Sequence, residues 1–443
     1  MTRRKRFLLL LPLGAAALLL APGTLRAQED KNNVLTVEQL FDLVEENSQA
    51  LIVAKQGQEA AEHGVAAAKS ERLPELGVEL SISYYGNVIQ TDRDFSNVIG
   101  FSSPHFGNSF TLAAEQAIYT GGAINAGIAL AEIGERQAAN SVDATRQAQR
   151  FLAMAQYLQL MEADNALRVY DRNIALTERL IEDIEAKRAQ GMALRNDITR
   201  YELQMETLQL GKRKMEDTRN ILNHQLCNTL NMEVSTRIQP DTTLALPSPM
   251  EQEALWQSKA SSLAPSMTSA NLNTQAAAAQ LKRTRSEQLP HIALFAVDNF
   301  SGPYNYDLPP IDKNYNVWQV GIGVSYSLSS LFKTNKRVRQ HKTLLQQSRE
   351  AQEETAEDLD NRVHEAHTLY LQAFANLKTR QKSAQLAREN YEVVNDRYLN
   401  DLALITDMTD ASNLLLAAEL DETNARIQIV FAYYRMKYVA GDI

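Results

Sequence analysis

The sequence predicts a mixed α/β chain in which very long helices alternate with pairs of short amphipathic strands, and this plan occurs twice. The distribution of helix breakers indicates the helices, because residues 105–239 contain no proline and residues 135–190 contain no glycine. One helix can therefore fill most of 121–190. The strands are indicated by stretches in which apolar and polar residues alternate after a Leu-Pro pair.

The long helix carries the pattern of a coiled coil. Two rows of residues recur at intervals of seven, and the second row follows three positions behind the first. The rows are Leu160, Leu167, Ile174 and Ile181, and Ala163, Tyr170, Thr177 and Ile184. At about 1.5 Å per residue such a helix reaches on the order of 100 Å, which exceeds the width of a compact domain.

The N-terminus has the pattern of a cleaved secretory signal. Residues 1–27 contain a basic cluster, an apolar run and a small residue, Ala27, at the predicted cleavage site. A membrane anchor is the alternative, although the run is short and is broken by Pro12. Cleavage removes five of the 45 Lys and Arg and none of the 54 Asp and Glu, which leaves a net charge of −14. This acidic balance argues against nucleic acid as a partner.

The rest of the chain reads as two repeats. Ser70–Pro74 is matched by Ser286–Pro290 at an offset of 216 residues, and Met192–Thr199 is matched by Leu402–Thr409 at an offset of 210. The predicted parts are the signal peptide 1–27, the first repeat 28–232, the linker 233–250 and the second repeat 251–443. The strands are expected at about 75–86, 108–119, 291–300 and 316–328, the first helix at 36–73 and the second long helix at about 333–399.

The predicted strands have one apolar and one polar face, although the third alternates poorly, and their length suffices to cross a bilayer at a tilt. Four strands cannot close a barrel alone, so several chains would have to combine their strands into one barrel without open edges. The alternative is an ordinary β-layer packed against helices in a soluble protein. We favour the barrel, because a compact domain does not need helices of this length.

The order of the motifs identifies a family resemblance. A Leu-Pro pair precedes each strand pair, Gln116–Gly122 and Leu328–Phe332 follow the strands, and Tyr398 and Asp407–Ala411 flank the last turn. These motifs are spread over most of the predicted mature chain. In their order the sequence resembles the TolC-like outer-membrane efflux proteins.

The resemblance implies a homotrimer in the outer membrane of a Gram-negative bacterium. Each chain would contribute four strands to a 12-stranded transmembrane β-barrel, and the long helices would continue it as an α-helical coiled-coil tunnel into the periplasm. The implied function is an exit channel of a tripartite efflux or type I secretion system, with no catalysis and no cofactor. The implied partners are outer-membrane lipid, a periplasmic adaptor protein and an inner-membrane transporter of the RND, ABC or MFS class.

The resemblance also implies a gate at the two helix turns. Asp407 and Asp410 are three residues apart and share one helix face. The resemblance puts them at the periplasmic mouth, where copies from several chains would form a ring that favours cations. Tyr398 and Asp197 match a tyrosine and an aspartate that hold the mouth closed in this family. A solvated helix face is the alternative.

This sequence departs from the family pattern at the same turns. Ala403 occupies the position of a gate arginine and Asp401 that of a turn glycine, so Arg195 is a candidate substitute for the arginine. The turns themselves are the expected adaptor-docking sites, with ordinary solvated turns as the alternative. The docking residues implied are Gln190, Gly191 and Met192 in the first turn, and Asn400, Asp401 and Leu402 in the second.

Other functions receive little support. His364 and His367 are three residues apart, whereas the helix of a zinc protease has its two histidines four apart, so no metal site is predicted. Cys227 is the only cysteine, and a packing role is the simplest interpretation. A soluble periplasmic coiled-coil scaffold is the main alternative to a channel, and an exported enzyme is a distant third because no catalytic constellation is present.

Overall fold

The structure is a computed structural model that describes residues 34–242, 246–248, 252–305, 307, 309–400 and 402–443. The predicted signal peptide and Asp401 lie outside the described residues. The helices are α1 (Val37–Asn47), α2 (Gln49–Ser70), α3 (Ala123–Ala189), α4 (Arg195–Thr229), α5 (Glu253–Leu263), α6 (Pro265–Ser286), α7 (Ser330–Leu399) and α8 (Ile405–Ala440). The strands are β1 (Val34–Leu35), β2 (Glu75–Tyr84), β3 (Val88–Gln90), β4 (Ile99–Phe101), β5 (Phe106–Tyr119), β6 (Gln239–Pro240), β7 (His291–Gly302) and β8 (Tyr315–Ser325).

The predicted single helix over 36–73 is wrong, because the structure divides it into α1 and α2. Ser48 has an extended backbone (φ −61°, ψ 117°) and interrupts the helix. The position 216 residues later, Ala264, is also extended (φ −64°, ψ 125°) and separates α5 from α6. There Pro265 explains the break, since proline disfavours a helical backbone in the residue before it.

Two helices are far longer than the rest. α3 has 67 residues and α7 has 70, so each extends about 100 Å. In α3 the second predicted row is mostly buried within the chain, at Ala163, Thr177 and Ile184. The first row is only partly buried beyond Leu160, which leaves one side of α3 without full cover. Within the described residues, no helix is both long and apolar enough to cross a membrane.

The four predicted strands are present and form one four-stranded antiparallel sheet. Its order is β2-β5-β7-β8, so the pairing of β5 with β7 joins the two halves of the chain. Within the described residues, β2 and β8 each pair along one side only. The apolar residues of these two strands are 67–79% exposed: Leu76, Val78, Leu80 and Ile82 in β2, and Val320, Ile322 and Val324 in β8. An apolar sheet face without helices over it requires another cover.

The expected loop between the first two strands contains a small hairpin that the sequence analysis missed. β3 and β4 pair antiparallel in the register Val88 with Phe101 and Gln90 with Ile99. Ser103 accepts a hydrogen bond from the Val88 amide at 3.1 Å and is itself buried. This hairpin lies at the end of the strands opposite the helices.

The first part of the predicted linker is anchored to the helices. β6 pairs in parallel with β1, and the Tyr157 hydroxyl donates to the Leu35 carbonyl and accepts from the Asp241 amide, both at 2.7 Å. Burial raises the pKa of Tyr157 to about 12. Arg219, only 4% exposed, forms an ion pair with Asp164 at 2.7 Å and donates to the Ile238 carbonyl at 2.7 Å.

The buried side chains form separate clusters along the helices. One cluster joins α1, α3, α4 and α8 near Leu40 and Tyr157, and a second joins α5, α7 and α8 near Trp256 and Tyr370. A third lies at the far end of the helices, next to the turns that connect α3 to α4 and α7 to α8. Of the heptad-spaced alanines of α8, Ala411, Ala425 and Ala432 are buried and Ala418 is partly buried.

Candidate functional site

The two turns between the long and the short helices contain the same backbone hydrogen bond. In the first, the Met192 amide donates to the Lys187 carbonyl at 2.9 Å, and in the second the Leu402 amide donates to the Arg397 carbonyl at 2.8 Å. These six-to-one hydrogen bonds satisfy carbonyls that lack a partner at a helix end. Gly191 adopts φ +78°, a conformation that favours glycine.

Two of the predicted gate carboxylates cap the helices that follow these turns. Asp197 accepts a hydrogen bond from the Leu194 amide at 3.0 Å, and Asp407 accepts one from the Leu404 amide, also at 3.0 Å. Each carboxylate lies in the first turn of its helix, where the helix dipole favours negative charge. The repeat relates these two positions at an offset of 210 residues, but their capping role was not predicted from the sequence.

An apolar cluster, here called the turn cluster, packs the two turns against each other. It contains Leu180, Ile184, Ile198, Tyr201, Tyr391, Met408, Ala411 and Leu415, with Tyr398 partly buried beside it. The pKa of Tyr201 is raised, first by burial and then by the neighbouring Tyr398, Tyr391 and Asp197. Burial likewise raises the pKa of Tyr391 to about 12. Both phenols are therefore neutral packing groups at physiological pH.

Lys187 joins the two turns through hydrogen bonds that were not predicted from the sequence. Its ammonium Nζ lies 2.9 Å from the Leu399 carbonyl oxygen and 3.3 Å from the Tyr398 carbonyl oxygen, at the end of α7. The same Nζ lies 5.4 Å from the centre of the Tyr398 ring, within the range of a cation–π contact. Arg195, the expected substitute for the gate arginine, is exposed on the first turn.

Asp410 and four apolar residues at the turns face solvent in the single chain. Asp410 is exposed one helical turn after Asp407, which is also exposed. The apolar residues occupy corresponding positions in the two turns and are 55–71% exposed: Met192 and Leu194 in the first turn, and Leu402 and Leu404 in the second. Each turn therefore presents two large apolar side chains that the chain itself does not cover.

His364 and His367 both lie beside the carboxylate of Glu253. His364 Nδ1 lies 2.9 Å from Glu253 Oε1, and His367 Nδ1 lies 3.7 Å from Glu253 Oε2. This contact links α7 to the first turn of α5. No group of three or more His, Cys, Asp or Glu side chains suited to a metal ion occurs in the part of the chain that the structure describes. Cys227 is buried, and its thiol donates to the Thr236 carbonyl at 3.4 Å.

Comparison with known proteins identifies the family. The model of the outer membrane efflux protein family matches residues 40–212 and 256–441, which is most of the chain. The chain therefore belongs to this family, and it is an outer-membrane protein of the TolC-like type. This confirms the resemblance. No curated protein matches the chain.

Solved outer-membrane channels share the fold. The outer-membrane channel OprN is 15% identical, with a TM-score of 0.76, and the match covers 92% of this chain and 90% of that one. VceC from Vibrio cholerae is 14% identical (TM-score 0.75, covering 91% and 96%). CmeC from Campylobacter jejuni is also 14% identical (TM-score 0.75, covering 92% and 85%). The family and these neighbours are channel proteins rather than enzymes.

Proposed function

We propose that three copies of this chain form an exit channel that carries substrates from the periplasmic side across the outer membrane. The observation that carries the proposal is the exposed four-stranded sheet, which continues directly into helices of 67 and 70 residues. The described residues of one chain leave the apolar face of this sheet exposed and pair each of the edge strands β2 and β8 along one side only. Lipid can cover the face, and neighbouring copies can pair the edges.

The barrel would contain 12 strands, four from each chain. Tyr84 and Trp318 are strongly exposed near the ends of β2 and β8, where aromatic residues suit a membrane–water interface. The shared positions of the helix breaks at Ser48 and Ala264 support an origin of the two halves by duplication. In this arrangement 28–232 and 251–443 are the two repeats.

The helical part would continue the barrel as a tunnel. Leu167, Ile174 and Ile181, the partly buried row of α3, are available to pack against a helix of the next chain. Such packing completes the coiled-coil seam that the heptad spacing predicts. Association of three chains therefore accounts both for the partly buried row on α3 and for the edge strands of the sheet that pair along one side only.

The turn end of the tunnel would be its periplasmic mouth. There Asp407 and Asp410 from three chains would surround one axis with six carboxylates and favour cations. Tyr398 and Asp197 remain the proposed contacts of the closed mouth. Their positions beside the turn cluster support this assignment, because a separation of the two turns would disturb both.

The exposed turns are the proposed docking sites for a periplasmic adaptor, which in turn binds an RND, ABC or MFS transporter in the inner membrane. Gln190, Gly191, Met192, Asn400, Asp401 and Leu402 are the proposed docking residues. The exposed Met192 and Leu402 side chains support this role, since adaptor binding would remove both from water.

A matched pair of variants tests the docking. Combined Met192→Ser and Leu402→Ser should abolish export of a fluorescent dye from the native cells while leaving conductance in planar bilayers unchanged. Ile89→Ser removes an equally exposed apolar side chain from the hairpin at the opposite end and should leave export intact. Loss of export in both variants, or in neither, would refute docking at the turns.

The channel itself is tested with purified protein. We expect trimers extracted from the outer membrane to give stepwise conductance in planar lipid bilayers. A soluble periplasmic coiled-coil scaffold would instead be recovered without detergent and would give no conductance. The scaffold alternative does not account for the uncovered apolar sheet.

A further inference from the structure

Lys187 binds the end of a helix from the other half of the chain. It lies in the last turn of α3, is partly buried, and places its ammonium at 2.9 Å and 3.3 Å from two carbonyl oxygens of the last turn of α7. The last four carbonyls of a helix lack an intrahelical partner, and the helix dipole makes this end negative. A lysine there forms charge-assisted hydrogen bonds whose acceptors are backbone atoms.

The same ammonium reaches the turn cluster. It faces the ring of Tyr398 at 5.4 Å, and Tyr398 packs beside the cluster that contains Tyr201 of α4. Lys187 therefore lies at the rim of the contact between the two turns. The two hydrogen bonds and the ring contact described here all join the α3–α4 turn to the end of α7.

Among the residues that the structure describes, the matching position in the second half makes its contact within its own turn. Arg397 is the residue 210 positions after Lys187, and its guanidinium donates to the Leu402 carbonyl at 3.3 Å, within its own turn. Both turns contain the same six-to-one backbone hydrogen bond, and in the described residues it is Lys187 of the first that contacts the other turn. A trimer would contain three such contacts.

We infer that Lys187 is a positioning residue that holds the α3–α4 turn against the end of α7 and restrains the opening of the proposed mouth. This role rests on the proposed function, because separation of the turns matters for transport only if they surround the duct. Removing the ammonium should shift the ratio of separated to joined turns by about fivefold, the lower end of the usual range for coupling between sites.

The test measures the distance between the turns in the whole trimer. Spin labels are attached at Ala189→Cys in the last turn of α3 and Thr406→Cys in the first turn of α8, both exposed. Cys227→Ser removes the native thiol and keeps a hydroxyl donor toward the Thr236 carbonyl. Labelled chains are diluted with unlabelled chains, so that each trimer reports one pair of labels by pulsed electron resonance.

Three variants are compared with the unchanged protein. Lys187→Met keeps the length of the side chain without its charge, and a longer-distance population should grow about fivefold. Lys187→Arg keeps donors and charge and should retain the shorter distance. Arg188→Met removes an exposed neighbouring charge and is the matched control. Equal distance distributions in Lys187→Met and the unchanged protein would overturn the inference, as would an equal increase in Arg188→Met.

Conductance separates this inference from the proposed function. If the protein conducts, Lys187→Met should raise the open fraction in planar bilayers, with trimer content checked by native mass spectrometry. Unchanged conductance despite separated turns would overturn the link between Lys187 and the mouth. A protein that never conducts would contradict the proposed function, while the distance measurement would still decide whether Lys187 joins the turns.

Discussion

Asp407 has two roles that a set of substitutions can separate. Its carboxylate accepts the Leu404 amide at 3.0 Å, which caps α8, and it is one of the two acidic residues proposed for the mouth. Asp407→Asn keeps an oxygen that can accept the amide but removes the charge. Asp407→Ala removes both. Asp410→Asn removes a charge from the same face, where Asp410 is exposed.

The expected magnitudes follow from these contacts. Asp407 is the third residue of α8 and accepts the amide of the N-cap residue Leu404. Loss of one such hydrogen bond costs about 1 kcal/mol, so Asp407→Ala should lower the free energy of unfolding by this amount per chain. Asp407→Asn should lower the free energy of unfolding by only a few tenths of about 1 kcal/mol, because the Leu404 backbone amide keeps an acceptor. In a trimer, either Asn variant would reduce the six carboxylates at the mouth to three and weaken the preference for cations.

Two assays read the two roles independently. Thermal unfolding followed by circular dichroism should separate Asp407→Ala from both Asn variants. The reversal potential in planar bilayers under a salt gradient should move toward zero in all three variants. Equal destabilisation by Asp407→Ala and Asp407→Asn would refute the cap, and unchanged reversal potentials would refute the ring.

Two further predictions concern assembly and stability. Gly121→Ala should reduce the yield of outer-membrane trimer, because Gly121 has φ +64° and a Cβ there would lie 2.7 Å from the Ser286 carbonyl oxygen. Gly122→Ala, also at positive φ but with nothing within 4 Å of its Cβ, should be milder; equal yields would contradict this. Arg219→Met should lower the free energy of unfolding by about 3 kcal/mol because it breaks a buried ion pair, whereas Arg213→Met, at an exposed pair, should be nearly neutral. Similar unfolding midpoints for these two variants would show that the buried pair does not matter.

The long elements could be predicted from the sequence because their signals are strong and local. The absence of proline and glycine over many residues identifies α3 and α7, and strict alternation identifies β2 and β8. β7 alternates poorly for a structural reason. The register pairs Asp298 with Leu112 and Trp318, which puts a carboxylate on the apolar face of the sheet.

The short irregularities could not be predicted in the same way. The break at Ser48 has no proline or glycine to mark it, whereas the corresponding break precedes Pro265. The strands β3 and β4 have three residues each and lie in a segment rich in Asn, Asp, Ser and Gly, which indicates a loop. Their pairing depends on tertiary contacts such as the hydrogen bond from the Val88 amide to Ser103.

The candidate site was only partly visible in the sequence. Alignment of the two halves locates both turns and relates Asp197 to Asp407, because repeated residues reveal repeated positions. The role of Lys187 is invisible at that level, since its acceptors are backbone carbonyls that every residue carries. The contact also joins residues more than 200 positions apart, so only the fold brings them together.

Electron microscopy of the detergent-extracted protein would show directly whether three chains form one channel. We expect a three-fold tube with a single 12-stranded barrel at one end, to which each chain contributes β2, β5, β7 and β8, and a hollow helical part about 100 Å long. A monomer whose sheet is covered by its own helices, or a solid helical rod without a barrel, would rule out the trimeric channel.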